Sequence, residues 1–275
     1  MNAADAKNLP VGVFDSGVGG LTVLKALVDV LPHENLIYLG DTARLPYGTK
    51  SPASIARYAC QATALLQKRN IKLLVVACNT ASAVALDELR EQMAPLPVIG
   101  VVDPGAEAAV RARPAGRHLV LATEATVQLG AYRKALTNKD PDVSVTELAC
   151  ELLVSLAEEG WNDGSIAEAI VRRYIDELPE MEREPDSVIL GCTHFPLLRP
   201  TFEAVFADSV AIVDSASTAA AAARMMLADL GLENDDVIPG SLELLATDSA
   251  TRFARVGGQF LGRELTWEDI EVVDL

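Results

Sequence analysis

Short apolar runs recur along the chain, and stretches with apolar residues at helical spacing separate them almost throughout. The runs Val11–Phe14, Leu36–Leu39, Leu73–Ala77, Val98–Val102, Leu119–Ala122, Val143–Leu148, Ser187–Leu190 and Val210–Val213 have strand length. Helix-like segments include Gly20–Val30, Pro52–Gln67, Ser82–Met93, Ile166–Glu177 and Thr218–Leu230. Such alternation predicts an α/β protein with mainly parallel sheets.

The pattern also echoes itself. Leu73–Val76 runs into Ala77-Cys78-Asn79-Thr80 and a helix beginning near Ala81, while Val188–Leu190 runs into Gly191-Cys192-Thr193-His194 and a helix around Arg199–Val205. Val11–Gly17 is echoed by Val210–Ala216, with Asp-Ser at the same place in each. Two similar α/β lobes facing each other across a central cleft would explain these echoes. In open parallel sheets ligands bind outside the carboxyl ends of strands, where all four motifs fall.

Composition narrows the class. Half of the 275 residues are apolar and only 5% aromatic, which suits packed helices and buried parallel strands. No apolar run approaches the roughly 20 residues needed to span a bilayer, and MNAADAKNLP lacks the basic start and apolar segment of a signal peptide. A net charge of −16 argues against nucleic acid and anionic membrane as partners. The four cysteines, Cys60, Cys78, Cys150 and Cys192, show no CxxC or disulfide-dense spacing, as expected in a reducing cytoplasm.

Cys60 and Cys150 lie in helix-like runs and are expected in the core. Cys78 and Cys192 each follow a strand and open the turn into a helix, where the dipole and free N–H groups favour thiolate. A buried structural thiol explains either position alone; two of them, each flanked by Thr, favour a functional pair. Zinc would need tighter ligand pairs than Cys192 and His194 offer, so no metal is expected. Asp15-Ser16-Gly17-Val18-Gly19-Gly20 reads either as a helix cap and tight turn, or as an Asp beside a glycine-rich turn whose N–H groups meet an anion. It is neither GxGxxG nor a P-loop. His33 and His118 are expected at the surface, whereas His194 could share protons with Cys192.

The residues assembled here resemble the glutamate racemase family, within the wider aspartate/glutamate racemases. The matching segments are VGVFDSGVGGLTVL (11–24), YLGDTARLPYGTKS (38–51), VVACNTASAVALDELR (75–90), PVIGVVDPGA (97–106) and VILGCTHFPLLRP (188–200). Weaker matches run through TEATVQLGAYRKAL (123–136), LACELLVSLAEEGW (148–161) and RFARVGGQFLG (252–262), so the likeness covers the chain from about residue 10 onward.

The resemblance implies a cofactor-independent, cytoplasmic isomerase that interconverts L-glutamate and D-glutamate and supplies D-glutamate for peptidoglycan. Cys78 and Cys192 would exchange the α-proton on opposite faces, Cys78 acting on D-glutamate and Cys192 on L-glutamate. Asp15 and His194 would manage the thiol protons, with Glu158 assisting at the second cysteine. Ser16, Tyr47, Gly48, Asn79, Thr80 and Thr193, together with Asp15 and His194, would hold the substrate. Residues 1–98 with 211–275 would form one lobe and 99–210 the other, with a modest preference for a homodimer. Departures from the family pattern fall at Ala122, Leu129 and the Cys150-Glu151-Leu152-Leu153-Val154-Ser155 segment. An aspartate or hydantoin racemase, or a relative that kept the fold and lost turnover, stays open as an alternative.

Overall fold

The computed structural model describes residues 6–275. Two sheets organise them, each built only of parallel pairs. The first contains β1 (Val11–Asp15), β2 (Leu36–Gly40), β3 (Leu73–Val76), β4 (Val98–Gly100), β9 (Leu242–Ala246) and β10 (Ile270–Val272), in the order β10-β9-β2-β1-β3-β4. The second contains β5 (Arg117–Ala122), β6 (Ser144–Ala149), β7 (Ser187–Gly191) and β8 (Ala211–Asp214), in the order β6-β5-β7-β8. Every residue of β1, β2, β3 and β7 is buried, because helices cover both faces of a parallel sheet. That is why these strands appear as unbroken apolar runs rather than as alternating patterns.

Local chemistry sets the helix ends. Helix α1 is Leu21–Val30, and α2 is Pro52–Lys68, which starts at Ser51 with its side chain accepting the Ser54 N–H and Pro52 at the first helical position. Helix α3 spans Asn79–Met93, α4 Val102–Ala112, α5 Glu124–Gln128, α6 Ala131–Lys139 and α7 Glu151–Glu158. Then come α8 (Gly164–Ile175), α9 (Arg199–Val205), α10 (Ser215–Leu230) and α11 (Ala250–Leu261). Asp214 caps α10 through the Ser217 N–H, and Gly231, left-handed at φ 64, ends it.

The lobes change over slightly later than the sequence suggests. Val98–Gly100 completes the first sheet, and Ala211–Asp214 pairs with β7 in the second. Counted by sheet, the limits therefore move from 98/99 and 210/211 to just after Gly100 and Asp214. Two strands, β9 and β10, were not anticipated: β9 is half-buried at Leu242, exposed at Glu243 and buried only from Leu244 to Ala246, and β10 is a three-residue edge strand. Short edge strands carry little apolar signal.

The largest apolar cluster runs across both lobes, joining Val11, Leu24 and Phe260 to Leu121, Leu190 and Phe195. Helix α11 buries Phe253, Val256, Phe260 and Leu261 along one face. Truncating a ring such as Phe260 would cost about 3–5 kcal/mol. No described helix is long and apolar enough to cross a membrane.

Candidate active site

Strand β3 delivers Cys78 to the start of α3. Its Sγ accepts the Ala81 N–H at 3.4 Å and lies 3.4 Å from Ser16 Oγ. Those donors favour thiolate, as expected, but the surroundings outweigh them. Burial and the Asp15 charge push the thiol up to about 12. Asp15 ends β1 and is 1% exposed. Its Oδ2 accepts the Gly17 N–H at 2.8 Å, while Oδ1 is buried with no hydrogen bond of normal geometry. Burial raises this carboxyl, and the His194 charge offsets part of the rise.

The second cysteine is set differently. Cys192 directly follows β7, but a 3₁₀ turn at Phe195–Leu198 intervenes before α9. The expected α-helix N-terminus beneath this thiol is therefore absent. An imidazole stands there instead. His194 Nδ1 lies 3.7 Å from Cys192 Sγ, and its Nε2 lies 3.2 Å from Glu158 Oε1. Burial alone would lower the imidazole; its hydrogen bonds to Cys192 and Glu158 prevail and push it up to about 10. Glu158 is held below the usual carboxylate range by its bond to His194, despite partial burial, with Arg252 adding to the effect.

Both thiols open onto one cavity of about 270 Å³. Its lining combines Ser16, Pro46, Tyr47, Gly48, Thr49, Cys78, Asn79, Thr80 and Thr123 with Glu151, Val154, Ser155, Cys192, Thr193 and His194. A larger cavity of about 590 Å³ between α4 and α10 contains none of these thiols. Asn79 and Thr80 head α3, where the helix does not use its own first N–H groups, so they face the cavity as anion donors. Their side chains are engaged elsewhere. Asn79 Oδ1 accepts the Tyr132 hydroxyl at 2.7 Å, and Thr80 Oγ1 lies 2.9 Å from Thr123 Oγ1. Tyr47 donates its hydroxyl to Asp41 at 2.6 Å, so this loop offers the cavity its wall and backbone.

The glycine-rich turn also has a packing role. A Cβ on Gly19 would lie 2.4 Å from both His194 Nδ1 and Thr193 Oγ1. A Cβ on Gly48 would lie 2.9 Å from Thr123 Cβ. Both glycines let the first lobe approach the second. Among the described residues no group of three or more His, Cys, Asp or Glu side chains is placed to hold a metal.

Residues 12–223 match the Asp/Glu/Hydantoin racemase family model. The chain belongs to this family. It is an amino-acid racemase, an isomerase. The glutamate racemase of Geobacter metallireducens is 45% identical over 255 residues, 93% of each chain. A glutamate racemase isoform from Bacillus anthracis superimposes with a TM-score of 0.90 at 34% identity, covering 98% of each chain. That of Francisella tularensis, solved with D-glutamate, gives 0.88 at 34% identity and the same coverage.

The structure of this racemase brings together Cys78, Cys192, Asp15, Ser16, Tyr47, Gly48, Asn79, Thr80, Thr193, His194 and Glu158, with Asp15 and Glu158 behind the cavity wall. Sequence reading missed several neighbours. Asp41 is fully buried and holds Tyr47, Arg44 and Thr247; its place between a strand and the PYG turn was the available signal. Thr123 and Thr126 meet Thr80 from the other lobe, and Arg252 and Phe260 reach the second cysteine's side from α11. His118 is corrected: it is 1% exposed, with Nδ1 2.6 Å from Ser187 Oγ, because it enters the central strand β5. His33 is half-buried, its Nδ1 3.1 Å from the Ile238 carbonyl.

Proposed function

We propose that this racemase interconverts L-glutamate and D-glutamate by two-base proton transfer between Cys78 and Cys192. The observation that carries the reading is the single cavity lined by one thiol from each lobe, each thiol with its own proton-handling neighbour. The amino acid lies between the thiols. The thiolate on one side takes the α-hydrogen as a proton, and the C–H electron pair delocalises into the α-carboxylate. The thiol on the other side then gives its proton to the opposite face. One cysteine ends protonated and the other deprotonated, so the next turnover runs naturally in reverse.

By the family pattern Cys192 works on L-glutamate and Cys78 on D-glutamate. Cys78 rests as a thiol at neutral pH, since its pKa is pushed up to about 12. It is therefore ready to donate when L-glutamate is consumed. Consumption of D-glutamate needs Cys78 as thiolate, and the α-ammonium of the bound substrate brings the positive charge that favours this beside Asp15. The developing enediolate is met by the α3 N-terminal N–H groups and by the hydroxyls of Ser16 and Thr193, preorganised donors that stabilise charge as it forms. Electrostatic donors of this kind take the place of an electron sink, so the reading needs no cofactor.

Physiologically, the product D-glutamate would feed bacterial peptidoglycan synthesis, with the enzyme in the cytoplasm and a homodimer as the preferred assembly. Circular dichroism of each glutamate enantiomer in D₂O, without pyridoxal phosphate or metal, tests the reading. Loss of ellipticity from both enantiomers with deuterium entering at Cα is expected. Turnover of aspartate but not glutamate would reassign the substrate, and no exchange with either would remove the activity.

A further inference from the structure

The two lobes meet at the active site, and one ion pair crosses between them. Arg252, near the start of α11 in the first lobe, donates from Nη2 to Glu158 Oε2 at 2.9 Å, at the end of α7 in the second. Every other ion pair among the described residues lies within one lobe. The crossing pair abuts the chemistry. The other Glu158 oxygen, Oε1, lies 3.2 Å from His194 Nε2, and His194 Nδ1 lies 3.7 Å from Cys192 Sγ. Helix α11 touches the chain twice, since Phe260 packs edge-on against the His194 ring at 5.1 Å.

We propose that Arg252 is a positioning residue of the second proton relay, holding Glu158 across the lobe seam so that Glu158 in turn holds His194 against Cys192. This inference rests on the two-cysteine reading above. A carboxylate with one oxygen tied to a guanidinium keeps the rotamer that presents its other oxygen to the imidazole. The imidazole is then fixed in ring orientation at the thiol it serves. Because the clamp joins the lobes, the relay is complete only when the lobes are together. On the Cys78 side no ion pair among the described residues crosses the seam, and Asp15, Ser16 and Cys78 all belong to the first lobe. Arg252 remains 51% exposed along its side chain, so it can leave without emptying the core.

The test uses Arg252→Ala and Arg252→Lys in the full-length enzyme, with racemisation followed from both enantiomers. Enantiomers are equal in free energy, so kcat/KM must remain equal in the two directions whatever is changed. The primary isotope effect from α-deuterated substrate is free of that constraint. For Arg252→Ala the effect should rise with L-glutamate, whose proton goes to Cys192, and fall with D-glutamate, whose proton goes to Cys78. We expect kcat to drop about tenfold with KM little changed, and the acid limb of the pH profile to move upward as Glu158 loses its cation. Arg252→Lys should restore most of the rate. Unchanged isotope effects and pH profile in Arg252→Ala would overturn the proposal. So would equal losses in both variants accompanied by a matching fall in Tm. A wild-type enzyme that does not exchange the glutamate α-proton would instead remove the underlying reading, which separates the two failures.

Discussion

The Cys78 and Cys192 sides of the cavity start from similar strand-end motifs and surround their thiols by different means. At Cys78 the thiol caps a 15-residue helix and shares its surroundings with a buried carboxylate from the neighbouring strand. At Cys192 no α-helix begins; an imidazole, a carboxylate and a guanidinium form a line that leads toward solvent. Burial is the largest influence at both sites; at Cys78 it prevails and raises the thiol, whereas at His194 the hydrogen bonds and charges of Cys192 and Glu158 together outweigh it. Internal similarity in a chain thus predicts similar backbones but not similar electrostatics. The groups that tune each thiol differ in kind: the Asp15 carboxyl of β1 acts on Cys78, and the His194 imidazole, backed by Glu158 of α7 and Arg252 of α11, meets Cys192.

Removing either thiol is the severest break. Cys78→Ala and Cys192→Ala should each lose racemisation by at least about 10³-fold while keeping the far-ultraviolet circular dichroism of the wild type. Substantial racemisation by either variant would sink the paired mechanism. Next, Gly19→Ala should push His194 and Thr193 away from the seam, since the new Cβ would sit 2.4 Å from both. A displacement near 1 Å at such a site costs about 10²-fold. Wild-type kcat in that variant would show that the Cys192 side tolerates the shift.

Asp15→Asn sharpens the contrast by removing the charge that raises Cys78. The thiolate of Cys78, followed by ultraviolet absorbance against pH in a background with Cys60, Cys150 and Cys192 each replaced by Ser, should appear at lower pH than in the same background with Asp15 intact. No downward movement would show that burial alone sets this thiol. The smallest effect is on stability. His194 rises from 6.5 to about 10 on folding, so its protonation contributes stability fully below pH 6.5, and that contribution is lost as pH climbs toward 10. The Tm of the wild type should therefore fall more steeply over this window than that of His194→Gln. Parallel curves would mean that the imidazole gains no proton affinity on folding.

Much of this was legible in the chain itself. Eight of the ten strands were marked by apolar runs, because a strand covered on both faces must be apolar at successive positions. Helix α9 fell at Arg199–Val205 as expected, and the paired Cys motifs fell at strand ends because those ends are where parallel α/β sheets leave backbone groups free. Beyond the two missed strands, the unanticipated features depend on distance across the fold. His118 looks like a surface residue until β5 is seen flanked by β6 and β7. Gly19 looks like a turn former until Thr193 and His194, more than 170 positions later, are seen against it.

The sequence alone determined the candidate site residues and where each stands along a strand or helix. Side-chain type and the periods of two and 3.6 are local properties, readable without knowing the partners. Only the tertiary structure decided how those residues are tuned. It brought Arg252 to Glu158, Glu158 to His194 and Asp15 to Cys78. Proton affinities follow from burial and from charges within a few ångströms, and these are set by which elements pack together, not by their order in the chain.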